Sequence, residues 1–148
     1  MAIFEAELSV DSLNKLAKQL KEYGNELDDS LIYINTAIAN RAYELIAKYI
    51  KYDTGELLDS VVTQVTKEFA YLYTDKDYAK FVEFGTGIKG KGSPHPEAKG
   101  YGWSYGSEYT GQTAGKFMWK TSIEIEKELE TIALRVLKER GLLEWEWI

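Results

Sequence analysis

The first apolar stripe along the chain is Leu13, Leu16, Ala17 and Leu20, spaced three or four residues apart as on one face of a helix. Ser9 and Asp11 stand ahead of it, and either side chain can accept from the free N–H groups of a first helical turn. Gly24 is expected to stop this helix. A second, longer helix is predicted over about residues 28–51, with Leu31, Ile34, Ile38, Leu45 and Tyr49 on one side and Asp28 and Asp29 at its positive end. Asp53-Thr54-Gly55 breaks that pattern, and Thr54 can cap a short turn through Glu56-Leu57-Leu58-Asp59.

The period then shortens to two. Between Ser60 and Thr74, Val61, Thr63 and Val65 alternate with Val62, Gln64 and Thr66 as the two faces of a strand do. Lys67-Glu68 marks the bend of a hairpin, and Asp75-Lys76-Asp77 ends its second strand. A third helix is predicted from Met118 or Thr121 to Arg140, with Ile125, Leu129, Ile132, Val136 and Leu137 as its stripe. Lys138 and Arg140 suit its negative end, and Gly141 terminates it. From Leu142 to Ile148 apolar and acidic side chains alternate as in a half-buried strand. Trp145 and Trp147 there need cover, either from the chain's own sheet or by strand addition to a neighbour's sheet edge.

Periodicity lapses over residues 85–116. Nine of the twelve glycines and both prolines fall in this stretch, interleaved with Tyr101, Trp103, Tyr105 and Tyr109. A segment that long without a repeat is normally functional or disordered. Aromatic rings supply contact area for few rotamers, which suits an arm that becomes ordered against a neighbour. On that reading residues 88–112 are dispensable for folding. The alternative is a surface loop tucked onto its own domain.

Composition bounds the rest. A chain of 148 residues, 45% apolar and 28% charged, fits one folded domain over 1–148. The net charge of −6 argues against a general affinity for nucleic acid. Lys89, Lys91 and Lys99 are the only candidates for a basic stripe, and read as solvated loop residues. The absence of cysteine excludes disulfides, thiolate metal sites and a cysteine nucleophile. Met1-Ala2-Ile3-Phe4-Glu5 is acidic where a signal peptide is basic, and no apolar run nears the ~18 residues of a membrane span. A cytosolic origin without an anchor is expected.

Candidates for chemistry are few. His95, the only histidine, sits between Pro94 and Pro96 in what reads as an extended, exposed segment, so a histidine metal cluster is not expected. Glu83, among Phe81, Val82 and Phe84, needs a hydrogen-bond partner or a shifted pKa. Paired with Asp77 or Glu97 it would suit a carboxylate-dependent hydrolase. The simpler expectation is that it bonds nearby loop N–H groups and fixes a tight turn. Gly85-Thr86-Gly87 and Gly90-Lys91-Gly92-Ser93 lack the spacing of a phosphate loop. Neither a catalytic residue, a cofactor nor a metal is expected.

Two segments nonetheless resemble a known pair. Asp53-Thr54-Gly55-Glu56-Leu57-Leu58-Asp59-Ser60-Val61 is similar to a "D-T-G-x-L-x-x-S" box, and Tyr78-Ala79-Lys80-Phe81-Val82-Glu83-Phe84-Gly85-Thr86-Gly87 to a "Y-A-x-x-V-E-F-G-T" box. Both boxes, in this order, resemble the neck or tail-completion (minor tail component) proteins of long-tailed phages and prophages. In that family a "P-F-(M/L)-x-P-A" segment leads into the final helix. Here Phe117-Met118 are kept, while Lys116 replaces the first proline and Lys120-Thr121 the closing pair. Asp53, Thr54, Gly55, Ser60, Glu83, Gly85 and Thr86 read as turn architecture.

The resemblance implies an α+β fold: N-terminal helices and a long C-terminal helix packed on a small antiparallel sheet. It implies a virion protein at the head–tail joint rather than an enzyme. Its expected partners are copies of itself in a ring and neighbouring neck, connector or tail-tube proteins, with DNA passing but not recognised, and with no membrane. Tyr101, Trp103, Tyr105, Tyr109, Phe117, Met118, Trp145 and Trp147 are then the candidate subunit-interface residues. A monomeric glycan- or peptide-binding module built on the loop aromatics is the other reading, besides the hydrolase.

Overall fold

The computed structural model describes residues 10–50 and 55–143, so Asp53, Thr54, Trp145 and Trp147 lie outside the described residues. In chain order the elements are α1 (Val10–Tyr49), α2 (Glu56–Asp59), β1 (Val62–Val65), β2 (Ala70–Tyr73), α3 (Ala79–Phe84), α4 (Gly87–Gly92) and α5 (Phe117–Glu139). β1 and β2 pair as a small antiparallel sheet, and the fold class is α+β.

Where two N-terminal helices were expected there is one, of 40 residues. Glycine ends a helix when it takes the left-handed conformation, and Gly24 does not: it is absent from the positive-φ glycines, and an added Cβ there would meet open space. Helix formers flank it on both sides, so propagation outweighs the roughly 0.5–1 kcal/mol that a mid-helix glycine costs. Helices α3 and α4 were not anticipated either. Each is only 6 residues long, too short for a stripe to show.

The chain divides into two compact units, and α1 and α5 contribute to both. One comprises Met1–Ile38, Val65–Ala70 and Glu128–Ile148. Within it Ile132, Val136 and Leu142 are buried. Ser30, fully buried, donates to the Glu26 carbonyl at 2.7 Å and accepts from Arg140 Nε at 2.8 Å. The Arg140 guanidinium also lies 4.1 Å from the Tyr33 ring centroid. The hairpin turn is held by Asn35, whose amide donates to the Thr66 and Lys67 carbonyls at 2.8 and 3.1 Å. Lys67 in turn reaches Asp28 and Asp29.

The other unit comprises Ala39–Gln64 and Tyr71–Lys127. Its core is Ile46 from α1, Leu57 from α2, Ala79 and Val82 from α3 and Phe117 from α5, with Leu72 and Met118 packed against it. A fully buried side chain of this size contributes about 1.5–3 kcal/mol. Gly55, left-handed at φ 69°, starts α2, and Ser60 closes it by donating from Oγ to the Leu57 carbonyl at 2.6 Å. The Ser60 hydroxyl also shares a 2.6 Å hydrogen bond with Thr74. Tyr49 on α1 donates its phenol to Glu124 Oε1 on α5 at 2.6 Å.

Two outcomes are expected. Gly24→Ala should raise unfolding free energy by about 0.5–1 kcal/mol in denaturant melts, whereas a true helix stop would be destabilised by the same change. The hydrogen bond to Glu124, helped by burial and by repulsion from that carboxylate, raises the Tyr49 pKa above its ordinary 10.0. Stability from this bond is therefore fully present below the unfolded value and is lost as pH rises through the higher folded one. Ultraviolet titration should show one late-ionising phenol that disappears in Tyr49→Phe.

Candidate functional site

α5 starts without a cap of its own. Ala114, Gly115 and Lys116 precede Phe117, none with a side chain that can accept a hydrogen bond, and Lys116 is left-handed at φ 57°. The first N–H groups of a helix have no intrahelical partner, and they sit at the positive end of its dipole. Glu83, on α3, supplies both acceptor and charge: Oε2 accepts from the Met118 N–H at 2.8 Å and Oε1 from the Trp119 N–H at 3.0 Å. Alongside, the N–H groups of Gly115 and Lys116 donate to the carbonyls of Val82 and Glu83 at 2.7 and 3.1 Å. The sequence called for a partner for this carboxylate. It finds one at a helix start 35 residues away rather than in its own turn.

The third partner corrects the reading of His95 as an exposed loop residue. His95 is 3% exposed, and its Nε2 lies 2.9 Å from Glu83 Oε1. Its Nδ1 accepts from the Glu97 N–H at 3.0 Å, which leaves the ring hydrogen on Nε2, pointing at the carboxylate. The flanking prolines explain the geometry. Pro96 has no N–H, so the first backbone donor after the ring is that of Glu97, two residues on. The His95 N–H is itself taken by the Tyr105 hydroxyl at 3.1 Å, which donates onward to the Phe84 carbonyl at 2.7 Å.

Residues 85–116 are thus bound to their own unit. An antiparallel bridge joins the two ends, with Thr86 and Gln112 exchanging N–H to carbonyl bonds of 2.8 and 3.0 Å. Gly85 and Gly111 are required there: a Cβ on Gly85 would stand 2.6 Å from Ala114 N, and one on Gly111 2.0 Å from the Thr86 carbonyl. The Trp103 indole donates to the Gly85 carbonyl at 2.9 Å and stacks on Phe84, ring centroids 5.1 Å apart. Removing residues 88–112 would strip Glu83 of His95 and Phe84 of its ring partners, so the segment is part of the fold and not dispensable to it.

Of the candidate interface residues, Trp103 and Tyr105 make these internal bonds, while Tyr101 and Tyr109 are 72% and 53% exposed. Phe117 is 1% exposed and belongs to the core, which corrects its placement on an interface. Met118 is half-buried. Lys89, Lys91 and Lys99 are exposed.

The Glu83–His95 pair also lines an open cavity of about 470 Å³, bordered by Lys80, Glu97, Tyr101, Met118 and Trp119. Glu83 accepts three hydrogen bonds, two of them from α5 and one from the His95 ring, and both His95 nitrogens are hydrogen-bonded. Glu97 shares the cavity with Glu83, and Asp77 is not among its lining residues. Among the described residues no group of three or more acidic or histidine side chains could hold a metal ion, and no helix is long and apolar enough to cross a membrane.

The model of a protein family described as "Bacteriophage HK97-gp10, putative tail-component" matches residues 14–85, just under half of the chain. That segment contains the first recognised box and the second as far as Gly85, so the similarity to this tail-component family extends beyond the two boxes to α1 and the hairpin. No curated protein and no solved structure matches the chain.

Glu83→Ala should destabilise the chain by about 2–4 kcal/mol in denaturant unfolding, because two helix N–H groups and the His95 ring N–H lose their acceptor together. Glu83→Gln keeps one acceptor oxygen and should fall between. Equal stability of Glu83→Ala and wild type would remove the capping role.

Proposed function

We propose that the chain is a neck or tail-completion subunit of a tailed phage, working at the head–tail joint of the virion through protein–protein contacts. The observation that carries this reading is the family match over residues 14–85. The candidate site supports it: the pair that would have to serve an enzyme is spent on holding α3, the 85–116 loop and α5 together. Exposed apolar side chains supply material for assembly. Tyr78, Phe81, Ile88, Tyr101 and Tyr109 are each between 36% and 72% exposed, and surface groups of this kind mark interaction sites when they gather into patches.

In this reading copies meet by heterologous contacts, one surface against a different one, and close into a ring between connector and tail tube. Tyr101, Tyr109, Met118, Trp145 and Trp147 are its interface residues. The acidic chain lets DNA pass without holding it. Its place in the cell is the virion, reached by way of the host cytoplasm during assembly.

Deleting the chain from the phage or prophage that encodes it should leave filled heads and complete tails that do not join, visible by electron microscopy. The purified chain should form rings alone or with connector or tail-tube protein. A chain that light scattering finds monomeric with every such partner, and that cleaves or binds a glycan, would falsify the reading.

A further inference from the structure

The cavity beside Glu83 and His95 lies within one compact unit, and the capping role of that pair leaves it unused. Its volume of about 470 Å³ falls among ligand sites, which run to roughly 300–1,000 Å³. Tyr101, 72% exposed, and Trp119, half-buried in the first turn of α5, give it aromatic surface.

The charges around it do not cancel. With a single hydrogen on the His95 ring, the lining holds one ammonium, Lys80, against two carboxylates, Glu83 and Glu97. Glu83 is answered by the α5 N–H groups and the His95 ring. The Lys80 Nζ lies 5.5 Å from the centroid of the Phe81 ring, which is not part of the lining. Glu97 is exposed, and among the described residues no ion pair or hydrogen bond reaches its carboxylate. Its main chain is nevertheless fixed. The N–H donates to His95 Nδ1 at 3.0 Å, and the carbonyl accepts from the Tyr101 N–H at 3.1 Å. One turn of chain thus presents a carboxylate and an aromatic ring to the same cavity, anchored on a buried histidine.

Aromatic surface beside an unanswered carboxylate suits an organic cation. A guanidinium fits it better than an ammonium does: it is planar, stacks on ring faces, is more weakly hydrated and pairs bidentately with a carboxylate. The chain as a whole carries −6, so attraction favours a basic neighbour over a second, equally acidic copy.

We propose that this cavity receives an arginine side chain of a different, basic protein, its guanidinium against the Tyr101 and Trp119 rings and bonded to Glu97. This inference rests on the reading that the chain works through protein–protein contacts, and names the chemistry of one of them.

The test titrates the ¹⁵N-labelled full chain with N-acetyl-L-arginine methylamide, and in parallel with the citrulline and lysine counterparts. The arginine probe should shift the amide signals of Tyr101, Met118 and Trp119. The uncharged citrulline probe should bind roughly fivefold or more weakly, and the lysine probe more weakly than arginine. Glu97→Gln should weaken arginine binding by about threefold. Lys80→Gln should bind it at least as tightly as wild type. Shifts absent from those three residues, equal binding of either other probe, undiminished binding by Glu97→Gln or weaker binding by Lys80→Gln each overturn the proposal. The partner is read in assembled particles carrying p-benzoylphenylalanine at Ser122, an exposed lining residue. The cross-linked peptide should contain an arginine and belong to another protein. A second copy of this chain, a peptide without arginine, or no cross-link at all overturns that partner. In each of these cases heads and tails that still fail to join without the chain leave the neck reading standing, and normal joining removes that reading whatever the titration finds.

Discussion

α5 begins where the chain offers it no cap, and a carboxylate from α3 stands in for one. Everything around the site is arranged on that substitution. With a buried anion at its start, the helix has acceptors for its second and third N–H groups and a charge opposed to its dipole. The anion in turn needs a third donor, which His95 provides. His95 needs both ring nitrogens satisfied, and the rigid Pro94-His95-Pro96 turn presents the Glu97 N–H to the second. A chain of dependence thus runs from one helix terminus through a glutamate to a loop that looked free in the sequence.

This explains which parts of the fold were legible. The hairpin bend at Lys67-Glu68, the short turn closed by Ser60 and the last helix through Glu139 rest on local patterns, and they stand where alternation, turn chemistry and the α5 stripe put them. The helix break at Gly24 was misread because glycine is a punctuation mark only in a left-handed conformation, which one residue's identity does not reveal. The placement of His95 was misread for a deeper reason. Its burial depends on a carboxylate 12 residues away and a backbone donor two residues on, and flanking prolines more often mark exposed, extended chain. A usable signal was present. A long amphipathic helix preceded by Ala-Gly-Lys, with no serine, threonine, aspartate or asparagine to cap it, must borrow an acceptor from elsewhere, and Glu83 was the carboxylate already in want of a donor.

The 85–116 segment shows how composition misleads. Glycine and aromatic residues together suggested an arm, yet several of these glycines are small because backbone passes against backbone, as Gly111 does against Thr86. The aromatics divide by position. Trp103 and Tyr105 turn inward and spend their polar atoms on main-chain carbonyls, while Tyr101 and Tyr109 face out. The same stretch therefore serves folding with one half of its rings and offers the other half to whatever surrounds the protein.

The Thr86–Gln112 bridge separates the loop's ends from its length. Because the clasp brings the ends together by backbone bonds alone, the entropy of closing the loop grows only with the logarithm of its size, about 0.6 kcal/mol for each doubling. The two extremities, with Gly85 and Gly111 forced by close approach, must stay as they are, and so must the anchors at His95, Trp103 and Tyr105. The exposed intervals between those anchors are under no such constraint. They are where related chains can diverge in length and chemistry, matching different neighbours, without disturbing the helix that the clasp helps to hold.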